Sequence, residues 1–422
     1  MPTASPRPRL WFSAMVSIVD QAWLSMLNLA VGLILIRLVA KEDYGTYAQL
    51  YVAGLFAAGI TEALVSNPLT TLASRYPDDQ RATMMAHMDR FQSRLGTWVA
   101  VLFGVACAGV AGLLDLAQPL WLGLGFALYV KTNATREYRR STLFIEGASR
   151  RVLALDLRYG VAVLACTGVL IWAGWLTIPA VFAVLGAGNL VALLGAPRHP
   201  VPGPGAVPSY PEAVRESWKR GRLGLPGSIL AWVINYSYLY VVAAWLGATA
   251  TADLNASRLL LMPISLSVQA WSRVARPLIG RLLAGHDRAR LRRLLFGSVV
   301  GIELLTISYV LVLWLALPWL QHHVLGEKYA NVQALVLIWG AYFAINAARW
   351  IGTAALMSAD RYDNTLTIAF VSLTLILTSM NVLIPLYGTE GAILSLAFVE
   401  VVSLFLNWWF YWRTLRSTET PQ

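Results

Sequence analysis

Long apolar runs recur along this chain, each near the roughly twenty residues a helix needs to cross a ~30 Å hydrocarbon layer. There are twelve, at approximately 12–37, 45–67, 95–115, 118–138, 153–175, 178–195, 225–246, 254–276, 296–318, 331–357, 365–385 and 390–412. In hydrocarbon every backbone N–H and C=O must find its partner inside the protein, which leaves only helices and closed barrels. A barrel strand needs only about nine to eleven residues, so these runs predict helices. The expected fold is all-α: a polytopic membrane protein of about twelve transmembrane helices. Composition agrees. The chain is 57% apolar and 13% charged, where a soluble domain is nearer half and a quarter. Cys107 and Cys166 both lie inside apolar runs and read as buried small hydrophobes, not a disulfide framework.

The net charge of +11 raises nucleic acid as a partner, but the order of the charges answers differently. With the N-terminus placed inside and the spans alternating, 28 of the 33 Lys and Arg fall on inner segments. That bias is the positive-inside rule. It predicts cytoplasmic termini and accounts for the charge without nucleic acid. Trp11, Trp175, Trp245, Trp319 and Trp412 stand at span ends, where indole favours the headgroup zone. Arg7 and Arg9 precede a run too long for a cleaved signal, so the first span is expected to be retained.

The longest apolar gap, 196–224, holds Pro197, Pro200, Pro202, Pro204, Pro208 and Pro211, then Arg215, Trp218, Lys219, Arg220 and Arg222. It reads as a cytoplasmic linker followed by a basic surface helix. The expected organisation is a six-helix lobe over 1–195, this linker, and a second six-helix lobe over 225–422. Two tandem halves are a common transporter plan.

Four stretches carry a family likeness: Ile36-Arg37-Leu38-Val39-Ala40-Lys41-Glu42-Asp43-Tyr44-Gly45, Arg136-Glu137-Tyr138-Arg139-Arg140, Leu325-Gly326-Glu327-Lys328-Tyr329-Ala330 and Ile384-Pro385-Leu386-Tyr387-Gly388-Thr389-Glu390-Gly391-Ala392. The sequence resembles Wzx-type bacterial polysaccharide flippases of the multidrug/oligosaccharidyl-lipid/polysaccharide exporter superfamily. The likeness covers nearly the whole chain in span order and loop character. Asp253-Leu254-Asn255, the second-half counterpart of the Tyr44-Gly45 turn, lacks the usual Gly. The chain ends after twelve spans, whereas lipid II flippases commonly carry two more, which points away from that branch. The resemblance implies two six-helix lobes around a central cavity in the bacterial inner membrane, and transport of an undecaprenyl-diphosphate-linked oligosaccharide to the periplasmic leaflet. The partners it implies are that lipid-linked oligosaccharide, membrane lipids, and a polysaccharide polymerase and glycosyltransferases acting before and after it.

Such a cargo needs a polar cavity, because unsatisfied polar groups cost several kcal/mol in hydrocarbon. Polar stripes at helical spacing are present. Arg258, Met262, Ser265, Gln269, Ser272 and Arg276 share one face of span eight; Tyr342, Asn346, Arg349 and Thr353 line span ten. Asn28 in span one and Trp232 and Asn235 in span seven extend the set. Arg349 stands several turns from either span end, and an intramembrane Arg is a functional candidate by default. Its guanidinium fits a phosphate in two parallel hydrogen bonds; the competing reading is a structural pair with Glu303 or Glu400. Arg258 lines the cavity or snorkels, and Lys131 faces the cavity or the inner boundary. Asp20, Glu62, Glu303 and Glu400 are candidates for proton or sodium coupling, against plain helix–helix pairing. The adjacent His322 and His323 lack the i, i+4 spacing of a helical metal pair, so no metal and no cofactor is expected. Outer connections are short, and no nucleotide, nucleophile or metal-hydrolysis motif is present, so a membrane-embedded oligosaccharide polymerase or ligase is disfavoured and no enzyme activity is expected. A small-molecule, multidrug-type exporter of the same fold stays open as the alternative.

Overall fold

A computed structural model describes residues 10–73, 76–196, 208–285, 287–329, 332–359 and 361–417. Regular structure among them is helical throughout. We number the spanning helices α1 (Leu10–Leu38), α2 (Lys41–Ala73, with a π-helical turn at Glu62–Ser66), α3 (Asp78–Leu113), α4 (Pro119–Ile145), α5 (Ser149–Trp172) and α6 (Ile178–Leu193). They continue as α7 (210–246), α8 (248–284, interrupted by a turn at Leu261), α9 (Arg288–Leu320), α10 (Val332–Ser358), α11 (362–387) and α12 (389–417). The pairs α7/α8 and α11/α12 are each joined end to end through a single glycine. Gly247 has φ 85 and ψ 178, and Gly388 has φ 60 and ψ −134. An L side chain seldom adopts either conformation, so each glycine permits a reversal with almost no loop. Gly388 belongs to the Tyr-Gly turn of the sequence motif.

The twelve sequence runs and the twelve helices correspond in order, and the chain is an all-α, multi-pass membrane protein. Three helices are weak as apolar spans, for physical reasons. α4 carries Lys131, Arg136, Glu137, Arg139 and Arg140. α8 carries Arg258, Arg273, Arg276 and Arg281. α6 has only 16 residues, about 24 Å of helix. The linker prolines Pro197, Pro200, Pro202 and Pro204 lie outside the described residues. The basic segment after them is helical from Tyr210 and runs through Pro226 into α7 without a break. Within it Ser217 is buried and donates to the Leu64 carbonyl at 2.7 Å.

Packing divides the chain into two compact units. The first takes the chain up to Val31 and Leu50–Ile229; the second takes Gly32–Gln49 and Leu230–Gln422. In the first, Leu64, Val65, Leu69, Leu72, Met84, Met85, Met88 and Tyr138 form a core. In the second, Val268, Ile279, Leu291, Leu295, Ile351, Leu356 and Ile368 form another. Large apolar side chains such as Leu102, Val105, Leu113, Trp172, Phe296 and Phe405 are exposed, as a hydrocarbon solvent allows.

Residues 32–49, the end of α1 and the start of α2, are the part of the N-terminal sequence that packs in the second unit. Lys41 pairs with Asp253 at 2.7 Å. The Asn255 amide donates to the Tyr44 hydroxyl at 2.8 Å. Lys328 donates to the carbonyls of Val39 (2.7 Å) and Arg37 (3.1 Å). A side chain at Gly45 would place its Cβ 1.9 Å from the Ala248 carbonyl oxygen. The Asp43-Tyr44-Gly45 motif and its gly-less counterpart at 253–255 are therefore one contact.

Candidate functional site

Two buried polar clusters stand out, one in each unit. In the second unit, α10 aligns Tyr342, Asn346, Arg349 and Thr353 at steps of four, three and four, and α12 presents Glu400 and Asn407. The Arg349 guanidinium donates through Nε to a Glu400 oxygen. The Asn346 amide donates to the other Glu400 oxygen at 3.0 Å, and the Thr353 hydroxyl donates to Asn407 Oδ1 at 2.9 Å. Of the two partners open to Arg349, the structure has Glu400. Its charge is matched. Glu303, on α9, is half-buried and makes no ion pair among the described residues.

Arg258 is the contrasting cation. It is half-buried on α8 and donates to the Tyr238 hydroxyl at 2.8 Å. Its guanidinium lies 5.3 Å from the Tyr236 ring centre, 5.6 Å from Tyr238 and 5.5 Å from Trp339. No carboxylate pairs with it among the described residues. Aromatic faces attract a cation without cancelling its charge, so Arg258 keeps capacity for an anion. Tyr342 completes the surround and is buried against Trp339 and Phe343. Trp232 stacks obliquely on Tyr236 and Tyr240, and Asn235 donates to its own helix at Ala231. Gln269 is exposed.

In the first unit the cluster joins α1, α4 and α5. Arg140 reaches Asp20 (3.0 Å), Asp156 (2.6 Å) and Glu137 (2.7 Å). Arg136 reaches Asp156 (3.2 Å) and Glu137 (2.8 Å) and stacks on Tyr159 at 3.9 Å. Asp156 is fully buried and Asp20 is 2% exposed. Three carboxylates thus share two guanidiniums, a formal excess of one negative charge that a single proton would cancel. The sequence pointed to Asp20 as an intramembrane acid and to Arg136 and Arg140 only as part of a family-like motif; it did not point to Asp156. An acidic residue inside a span is the signal that finds Asp156.

The remaining sequence candidates are dispersed. Lys131 is half-buried on α4 and donates to Ser93, including its hydroxyl at 3.2 Å. Asn28 is exposed and accepts from the Tyr51 hydroxyl at 3.4 Å. Glu62 opens the π-helical turn of α2 and is exposed. His323 stacks on Trp319 at 4.9 Å. Among the described residues no group of three His, Cys, Asp or Glu could hold a metal.

No family model matches the sequence, and no curated protein sequence does. Solved structures do. An inward-facing multidrug-resistance MATE-family transporter of the MOP superfamily aligns over 97% of this chain and 96% of its own, with TM-score 0.72 and 10% identity. The chain has the fold of MOP-superfamily transporters. A substituted form of the Vibrio cholerae MATE transporter VcmN aligns over 97% and 96%, with TM-score 0.67 and 15% identity. A MOP-superfamily transporter from Pyrococcus furiosus, whose binding pocket is described as reversed in polarity and suggestive of a different function, aligns over 97% and 95%, with TM-score 0.65 and 10% identity. At these identities the likeness establishes the fold.

Proposed function

We propose that this protein is a polysaccharide-biosynthesis flippase. It moves undecaprenyl-diphosphate-linked oligosaccharide from the cytoplasmic to the periplasmic leaflet of the bacterial inner membrane by alternating access, coupled to an ion. The observation that carries this reading is Arg258. A guanidinium inside a span, ringed by tyrosines and Trp339 and matched by no carboxylate among the described residues, suits an anionic head group and repels a cationic one. The surrounding aromatic faces suit the sugar rings next to the diphosphate. Arg349 is the second cation, held by Glu400 while that carboxylate is charged. The Arg349–Glu400 pair is the coupling site in this reading: breaking it frees Arg349 for the head group, so one pair serves both coupling and cargo binding.

The test uses sealed vesicles and a fluorescent undecaprenyl-diphosphate oligosaccharide. Arg258→Gln should slow translocation by about tenfold to a hundredfold, the range expected for losing one or two charge-assisted hydrogen bonds, at unchanged protein abundance. An unchanged rate removes the basis of the proposal. Glu400→Gln should leave a slow transport that no longer responds to an imposed pH gradient.

A second reading, a multidrug-type exporter, draws support from the multidrug-resistance transporter among the fold neighbours. It requires the same vesicles to transport a lipophilic cationic dye, with Arg258→Gln raising that transport rather than lowering it.

A further inference from the structure

A basic and aromatic groove in the second unit shares no lining residue with either polar cluster. It is about 1040 Å³ and runs between the start of α9 and the end of α12. One wall is Arg288, Arg292, Leu295, Phe296 and Val299, a helical stripe, with Arg293 beside it; the other is Trp408, Tyr411 and Trp412. The eleven steps from Arg288 to Val299 rise about 16 Å, so the groove passes from a charged end into an apolar one. Arg292 and Arg293 are exposed and make no ion pair among the described residues, and none of the described residues lining the groove is acidic. The nearby Asp287 is engaged by Arg290, which faces elsewhere. Phe296 is 70% exposed and Trp412 46%, so both walls of the groove open outward.

We propose that this groove binds one anionic glycerophospholipid. Its phosphate sits against Arg292 and Arg293, and its acyl chains lie along Phe296, Val299 and the two indoles. The charge pattern selects this occupant. A soluble anion would leave the aromatic end uncovered, and a zwitterionic lipid would bring its ammonium against the arginines. Guanidinium offers phosphate two parallel donors, and indole prefers the depth at which headgroup and chain meet. Basic pockets between spans on the inner side are the expected place for such lipids. The proposal stands whatever the transported cargo is.

The experiment is native mass spectrometry of the delipidated full-length protein, titrated with phosphatidylglycerol or with phosphatidylcholine of the same chains. The first phosphatidylglycerol should bind about thirtyfold tighter than the first phosphatidylcholine, given two arginines at roughly 1 kcal/mol per basic residue near a headgroup. The double variant R292Q/R293Q should lose that preference while melting as the parent does in phosphatidylcholine micelles. R292Q and R293Q singly should each lose part of it, which carries the test if the pair is not recovered. Millimolar inorganic phosphate should fail to displace the lipid. Equal binding of the two lipids, a preference that survives both substitutions, or displacement by phosphate alone would each overturn the proposal.

Discussion

Arg140 and Arg258 both sit inside the helical bundle, and their surroundings make them opposite in kind. Arg140 holds three carboxylates from α1, α4 and α5; Arg258 holds none among the described residues. Removing one partner from a buried ion network strands the others, at about 3–5 kcal/mol. Arg140→Ala should therefore lower the melting temperature in detergent strongly, and second-site Asp156→Asn should recover part of the loss. Arg258→Ala should cost far less stability and be felt in transport. A linear reading separates these two poorly. Positive-inside counting treats Arg136 and Arg140 as boundary charges, because it scores nearness to a span end and not what lies across the helix. Asp20 was legible as an acid in an apolar run. That Asp156 stands opposite it, with two arginines from α4 between, depends on helices over a hundred residues apart. Arg349 shows the same limit: Glu303 and Glu400 were equal partners in sequence, and only the pairing of α10 with α12 chooses Glu400.

At the scale of elements, the apolar runs located all twelve helices, because span length is set by the bilayer and written directly in hydropathy. Helix ends were less legible. α7 begins at Tyr210, well before its apolar part, because a helix continues past the membrane wherever its backbone and one buried face are satisfied. The glycines of the motifs acquire physical reasons. Gly45→Ala would drive a Cβ into the Ala248 carbonyl oxygen at 1.9 Å, which backbone atoms cannot evade without shifting. Overpacking of this kind costs about 1–3 kcal/mol, and a lowered melting temperature should show it. Gly59→Ala, also in α2 but with nothing within 4 Å of the new Cβ, should be neutral or stabilising by about 0.5–1 kcal/mol. Gly388→Ala, at φ 60, should cost about 1–3 kcal/mol through backbone strain alone. A Gly59 variant as damaged as the Gly45 variant would mean that α2 is sensitive to any change and not to this contact.

For the whole molecule, the two compact units do not coincide with the two halves of the sequence. The six-and-six division at 196–224 follows from composition, but Gly32–Gln49 sorts with the C-terminal helices. Nothing in hydropathy marks this, because the residues that bind the hairpin tip there (Lys41 to Asp253, Tyr44 to Asn255, Lys328 to the Val39 carbonyl) are scattered over nearly 300 positions. The consequence is testable by cutting the chain within 196–224. A fragment of residues 225–422 expressed alone lacks the tip, leaving Asp253 without its lysine and Asn255 without its tyrosine. It should accumulate poorly and be cleaved quickly near Asp253 by added protease. Co-expression with residues 1–195 should restore both abundance and protection. Co-expression with the same N-terminal fragment carrying Lys41→Ala, Tyr44→Ala and Gly45→Leu should not. If 225–422 alone is as protected as in the intact chain, the second unit is complete without residues 32–49 and the tip is an accessory contact.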